Sequence, residues 1–140
     1  MMGGARSIDI TDGLFDKEDP LLKEKILDLK RQGKNYYRIR GINGFPEEMP
    51  SEEELERGME CLLKNGMETD YIITHAAPTM VSNYFSAWRF KTDELTDYFE
   101  KIRKKAQFKR WFCGHYHMDE NLVVEGKNFQ ILYNKIERIY

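Results

Sequence analysis

Apolar residues form two patterns along this chain, a regular spacing in some segments and short continuous runs in others. Apolar side chains recur every three or four residues in three segments, which predicts amphipathic helices at residues 19–33, 51–66 and 92–105. Asp19 and Ser51 are good N-cap residues for the first two of these helices, and a glycine stands at the end of each. Short apolar runs predict strands: two that are buried on both faces, at 71–74 and 111–113, and short terminal ones at 122–124, 129–133 and 136–140.

Together these elements predict an α/β fold, with a central sheet of mixed direction and helices packed on it. Residues 3–10 are predicted to be extended, 35–42 to form a short strand or an irregular segment, and 45–50 and 79–90 to be loops. The 140 residues suffice for one domain, whose folding would bury about 70% of the surface of the unfolded chain.

The composition excludes several classes of function. A net charge of −2, with acidic and basic residues interleaved, lacks the basic surface of a nucleic-acid-binding protein. The uncharged run at 71–88 is long enough to span a membrane, but His75, Pro78 and Asn83 interrupt it, so we expect no membrane helix. No signal peptide is recognisable and the two cysteines are too few for a disulfide framework, so we expect a cytoplasmic protein.

The three histidines of the chain all follow predicted strands. His75 ends the strand at 71–74, and His115 and His117 come after the strand at 111–113 and Gly114, where the glycine would allow a sharp turn. In an extended segment residues i and i+2 point to the same side, so both imidazoles could face one point. A lone histidine is more often an ordinary polar residue, but imidazole is a common ligand of divalent metals, and the three together predict a metal site.

The order of these motifs resembles the C-terminal half of the calcineurin-like metallophosphoesterases. That family carries a histidine followed closely by proline and then a Gly-His-x-His element, as His75 to Pro78 and Gly114 to His117 do here. The segment Gly3-Gly4-Ala5-x-Ser7-x-Asp9, the acidic helix start after Pro50 and Asp70 before the histidine strand are similar to the family as well. The resemblance covers nearly the whole chain.

The resemblance implies a phosphatase that hydrolyses a phosphomonoester or a phosphoprotein. His75 and His115 would bind one divalent ion and His117 a second, the ions being Mn, Fe, Zn or Ni. In the family two such ions hold a bridging hydroxide that attacks phosphorus, and a pair of ions about 3.5–4 Å apart clamps both the attacking and the leaving oxygen.

Earlier motifs of the family have no counterpart in this sequence. The family carries an Asp-x-His, a Gly-Asp with the bridging carboxylate and a Gly-Asn-His with the catalytic acid, whereas the three histidines here are already assigned. We therefore expect residues 1–140 to be a single partial domain, the C-terminal half of a metallophosphoesterase-type β-sandwich flanked by helices, without a catalytic residue of its own. Such a half would expose an apolar flank, and it would self-associate or pair with a complementing N-terminal half.

Two alternatives remain open. The chain could be a non-catalytic remnant or binding module that keeps a three-histidine metal site. It could also hold a structural zinc ion, with Asp119 or Asp9 as the fourth ligand. Tyr116, Trp88 and the segment at 79–90 are candidates for the wall of a pocket, but none of them indicates a particular substrate.

Overall fold

The computed structural model describes residues 12–44, 49–86 and 92–139, so the extended segment predicted at 3–10 and Trp88 lie outside the described residues. In these ranges the chain is a mixed α/β structure with four helices and two sheets. The described residues divide into two compact units, with the boundary in the chain between Met49 and Pro50. No helix in these ranges is long and apolar enough to span a membrane.

The first unit is a small strand–helix–strand motif. Strand β1 (Gly13–Asp16) pairs in parallel with β2 (Tyr37–Arg40), and helix α1 (Leu22–Arg31) connects them. The sequence pattern missed β1, because its glycine and aspartate are typical of turns. Helix α1 begins at Leu22, later than predicted, because the Asp19 carboxylate accepts the Leu21 N–H (2.9 Å) outside the helix.

The second unit is built on a four-stranded sheet with the order β3-β4-β6-β5. Its strands are β3 (Glu68–Thr74), β4 (Gln107–Cys113), β5 (Glu120–Val124) and β6 (Lys127–Ile131). Strands β3, β4 and β6 are mutually parallel, and β5 is antiparallel to β6. The antiparallel β5 confirms the predicted mixed direction of the sheet. The carboxyl ends of the three parallel strands lie at one edge of the sheet.

Helices α2 (Glu52–Lys64), α3 (Thr79–Ser86) and α4 (Glu94–Lys105) complete this unit. A capping box between Ser51 and Glu54 starts α2, as predicted. The predicted apolar face of α4 is buried, and its Phe99 ring meets the indole of Trp111 edge to face, with 5.9 Å between centroids. Trp111 is fully buried and is also tilted against Phe129, so the core lies between α4 and one face of the sheet.

Three details of the sequence prediction are wrong. The segment predicted as a loop at 79–90 contains α3, because packing of the fully buried Val81 and the Ser82 N–H to Pro78 O hydrogen bond favour a helix that local propensity does not reveal. Residues 136–139 form no strand, since Glu137 instead accepts a hydrogen bond from the Gln130 amide (2.9 Å). Strand β4 is buried on both faces at its end, but β3 is not, because Ile73 is 62% exposed.

A buried ion pair ties α3, α4 and the β5–β6 turn together. The side chain of Arg103 is 1% exposed and donates to both carboxylate oxygens of Glu100 and to Glu125. Glu100 also accepts the Met80 N–H (3.1 Å). Burial by itself raises the pKa of Glu100, but the hydrogen bonds from Arg103 and Met80 and the nearby positive charges outweigh it and lower the pKa below its ordinary value.

This pair predicts a loss of stability in acid. A carboxyl group whose pKa is lowered in the folded state stabilises the fold above its ordinary pKa, and that contribution disappears as the pH falls through the folded pKa. Glu100→Gln should lower the free energy of unfolding by about 3 kcal/mol at pH 7, because Arg103 loses a partner, and should flatten the decline below about pH 4.5. Urea unfolding at several pH values measures both effects. Glu56→Gln, at an exposed position of α2, is the control, and equal acid slopes in the three proteins would contradict the prediction.

Candidate metal centre

The parallel pairing of β3 and β4 brings His75 and His115 to the same edge of the sheet. Thr74 and Cys113 are paired residues at the ends of the two strands, and each histidine follows within two residues. The Gly114 N–H donates to the backbone oxygen of His75 (3.0 Å), which continues the contact between the strands beyond their ends. The sequence prediction that these two histidines converge is therefore consistent with the fold.

The two imidazoles are in direct contact. Nε2 of His75 and Nδ1 of His115 lie 3.0 Å apart and share a hydrogen bond, with the rings inclined at 63°. Both side chains belong to half-buried residues at the surface of the second unit. Two nitrogen ligands of a tetrahedral zinc ion, bound at about 2.0–2.1 Å, are separated by about 3.3 Å. The observed distance of 3.0 Å between the two nitrogens is thus slightly shorter than that between two ligands of one ion.

His117 makes a different ring contact. Its ring stacks on that of Tyr133, with 4.9 Å between centroids and an interplanar angle of 29°. His115 and His117 have φ angles of 75° and 51°, so both are left-handed, and the prediction of an extended segment with the two imidazoles on one side is wrong. Gly114, in which the turn was expected, has no left-handed φ.

The left-handed backbone conformation of both His115 and His117 is itself informative. Non-glycine residues with positive φ are uncommon, although histidine adopts this conformation more readily than most. They persist where the surroundings hold them, and they are concentrated at functional sites. Here a hydrogen bond from the Tyr116 N–H to Gly114 O (3.0 Å) closes the turn that contains His115.

Burial keeps His115 neutral at physiological pH. It lowers the pKa of His115 to about 4, with electrostatic repulsion from His75 and His117 acting in the same direction and Asp93 opposing it. A histidine binds a metal ion through a neutral ring nitrogen, so protons compete weakly at this position. The electrostatics of the ring therefore suit a ligand.

The other candidate ligands near this edge have different roles. The Asp119 carboxylate accepts backbone N–H groups of Tyr133 (2.7 Å), Asn134 and Lys135, which anchor the segment after β6 and lower the pKa of Asp119. Burial raises the pKa of the Cys113 thiol to about 12, so it remains protonated. Asp9 lies outside the described residues.

Two of the three predicted ligands are thus brought together. Within residues 12–44, 49–86 and 92–139, no cluster of three or more histidine, cysteine, aspartate or glutamate side chains is placed to hold an ion. The donors present fit the chemistry of a two-histidine share of a metal site, which other ligands must complete.

Three side chains near the histidines, those of Thr74, Trp111 and Tyr116, were not singled out by the sequence as supports of this site. The Trp111 indole N–H donates to the Thr74 hydroxyl (2.8 Å), which in turn donates to Ala76 O (2.6 Å), so the core fixes both sides of His75. The Tyr116 hydroxyl accepts the Ala77 N–H (3.0 Å). Thr74 and Tyr116 are polar residues next to His75 and His115 in the sequence, and this was the only sequence signal for their role.

Neither the scan against protein-family models nor the searches of curated proteins and of solved structures found a match.

Proposed function

We propose that this chain is the C-terminal half of a calcineurin-like metallophosphoesterase domain and contributes metal ligands to the hydrolysis of a phosphoester. The contact between His75 and His115 is the observation that carries the proposal, because it joins the two motifs on which the resemblance rests. Both side chains stand at the carboxyl ends of parallel strands, where α/β proteins bind their ligands.

The residues of this chain would hold the ion and exclude competing groups. His75 and His115 would each present a ring nitrogen to one divalent ion, of Mn, Fe, Zn or Ni, and His117 would serve a second ion when the domain is complete. A bound ion of this kind supplies a Lewis acid and lowers the pKa of its water. The half-buried position of the two rings limits competition from bulk water.

The chain alone is expected to be a poor catalyst. Two ions held close together repel each other and need a bridging carboxylate, which the family's Gly-Asp element supplies and this sequence lacks. The histidine that would protonate the leaving group is also absent, and such a step contributes about 10²–10⁴ in rate. We therefore propose that a phosphoester substrate is hydrolysed only when a complementing half joins this one.

A titration tests the ligand assignment. In calorimetry with Zn²⁺ or Mn²⁺ we expect at most one ion per chain, and at least about a hundredfold weaker binding in His75→Ala and in His115→Ala, because each removes one of two converging ligands. Hydrolysis of an aryl phosphate should stay near background throughout. Cys61→Ser is the control, since it removes an exposed thiol that could bind metal elsewhere.

Other results of this titration would contradict the proposal. Unchanged affinity in both histidine variants would place the ion elsewhere. Two ions per chain, with turnover that His115→Ala abolishes, would show that the chain completes the centre by itself.

The second candidate is a metal-binding module without catalysis. It is favoured by the described residues themselves, which bring two histidines together but no carboxylate that could bridge two ions. The calorimetric titration would give the same result for both candidates. Activity after fusion of the family's N-terminal motifs to this chain would distinguish them.

A further inference from the structure

Tyr116 stands between His115 and His117 in the sequence of the Gly-His-x-His element and is not one of the proposed metal ligands. Its ring meets Phe85 of α3 edge to face (4.5 Å between centroids) and contacts the ring of His115 in the same manner (5.2 Å). The residue is therefore wedged between α3 and the segment that carries His115.

The hydroxyl of Tyr116 reaches the other histidine segment. It accepts the N–H of Ala77, which is fully buried and stands two residues after His75 (3.0 Å), and it is hydrogen-bonded with the Ser82 side chain. Burial raises the pKa of Tyr116 to about 12, so the phenol stays neutral at physiological pH. One side chain thus connects the segments that follow β3 and β4.

Such a connection matters because the backbone at His115 is strained. A φ of 75° at a non-glycine residue is unfavourable and persists only where other contacts hold it. The Gly114 N–H to His75 O bond holds the start of the turn, and the Tyr116 hydroxyl holds the position that follows His115. Without the second contact, the backbone of the segment after β4 would keep the Gly114 N–H to His75 O bond as its link to the segment after β3.

We propose that Tyr116 is the positioning residue of the His75–His115 pair, because its hydroxyl fixes the separation of the two strand-end segments so that the two ring nitrogens meet. The effect on the rings does not depend on a metal, whereas the effect on metal affinity rests on the proposed function.

The test compares Tyr116→Phe with Tyr98→Phe. The second variant removes the hydroxyl of a buried tyrosine in α4 that is not next to a histidine in the sequence. The ring nitrogen signals of His75 and His115 are followed by NMR in the metal-free chain at neutral pH. Binding of Co²⁺ to the same chain is followed by its visible absorption. Urea unfolding reports the loss of stability in each variant.

We expect Tyr116→Phe to change the ring nitrogen signals of both histidines and to weaken Co²⁺ binding about tenfold, as is typical when a residue that orients a ligand is lost. Tyr98→Phe should change neither, although both variants lose similar stability. Unchanged ring signals in Tyr116→Phe would overturn the proposal, as would equal changes in the two variants. If the wild-type chain binds no Co²⁺ while the ring signals still respond, the proposed function fails and the positioning role stands.

Discussion

Under the proposed function, fusing to this chain the metallophosphoesterase motifs that its sequence lacks should raise the rate of phosphoester hydrolysis by at least about 10²-fold. The chimera would carry an N-terminal half with the Asp-x-His, Gly-Asp and Gly-Asn-His elements before Met1. Those elements supply the general acid, worth about 10²–10⁴ in rate, and the carboxylate that lets two ions share a site. Hydrolysis of an aryl phosphate, measured alongside the metal content of each protein, checks the prediction.

The chimera needs two controls. The same fusion with His115→Ala should fall back toward background, because His115 is one of the proposed metal ligands. The N-terminal half alone should also be inactive. A folded chimera that contains two ions per chain and does not turn over substrate would favour the non-catalytic binding module.

Replacing Trp111 by alanine should destabilise the protein by about 3–5 kcal/mol, a large part of the total stability of a domain this size. The indole is fully buried between Phe99 and Phe129, so its removal leaves a cavity that the sheet cannot close. It also removes the N–H that the Thr74 hydroxyl accepts, beside His75. Chemical denaturation, followed by circular dichroism, gives the free energy of unfolding.

Trp111→Phe separates these two contributions. Phenylalanine keeps most of the apolar contact but cannot donate to Thr74, so we expect a loss of about 1–2 kcal/mol. A loss below about 1 kcal/mol in Trp111→Ala would show that the core does not depend on this side chain.

The parts of the fold that were predicted correctly are those with local signals. The capping box of Ser51 and Glu54 is complete within four residues, and the apolar face of α4 repeats within its own length. Helix α3 lacks both kinds of signal, because its sequence TMVSNYFS has no charged residue and few strong helix formers. Its helical state depends on contacts with α4 that only the folded chain provides, such as the Thr79 hydroxyl bond to Asp97.

The candidate site was predicted to the level of the strand ends. A histidine after each of two parallel strands is enough to place His75 and His115 at one edge, and the structure brings their rings together. The sequence does not show that the left-handed positions fall on His115 and His117 instead of Gly114. Nor does it show that His117 stacks on Tyr133, because that contact depends on the segment after β6, which Asp119 anchors.

The order of the strands in the sheet also bears on how the candidate site forms during folding. The turn between β5 and β6 contains left-handed Glu125 and Gly126, a conformation that closes a tight hairpin within microseconds. His75 and His115 are 40 residues apart, and their contact requires β3 to find its register beside β4 across two intervening helices. Because non-local parallel pairing is slow, we expect the histidine pair to form after the β5–β6 hairpin, so that a metal ion bound there would stabilise only the later stage of folding.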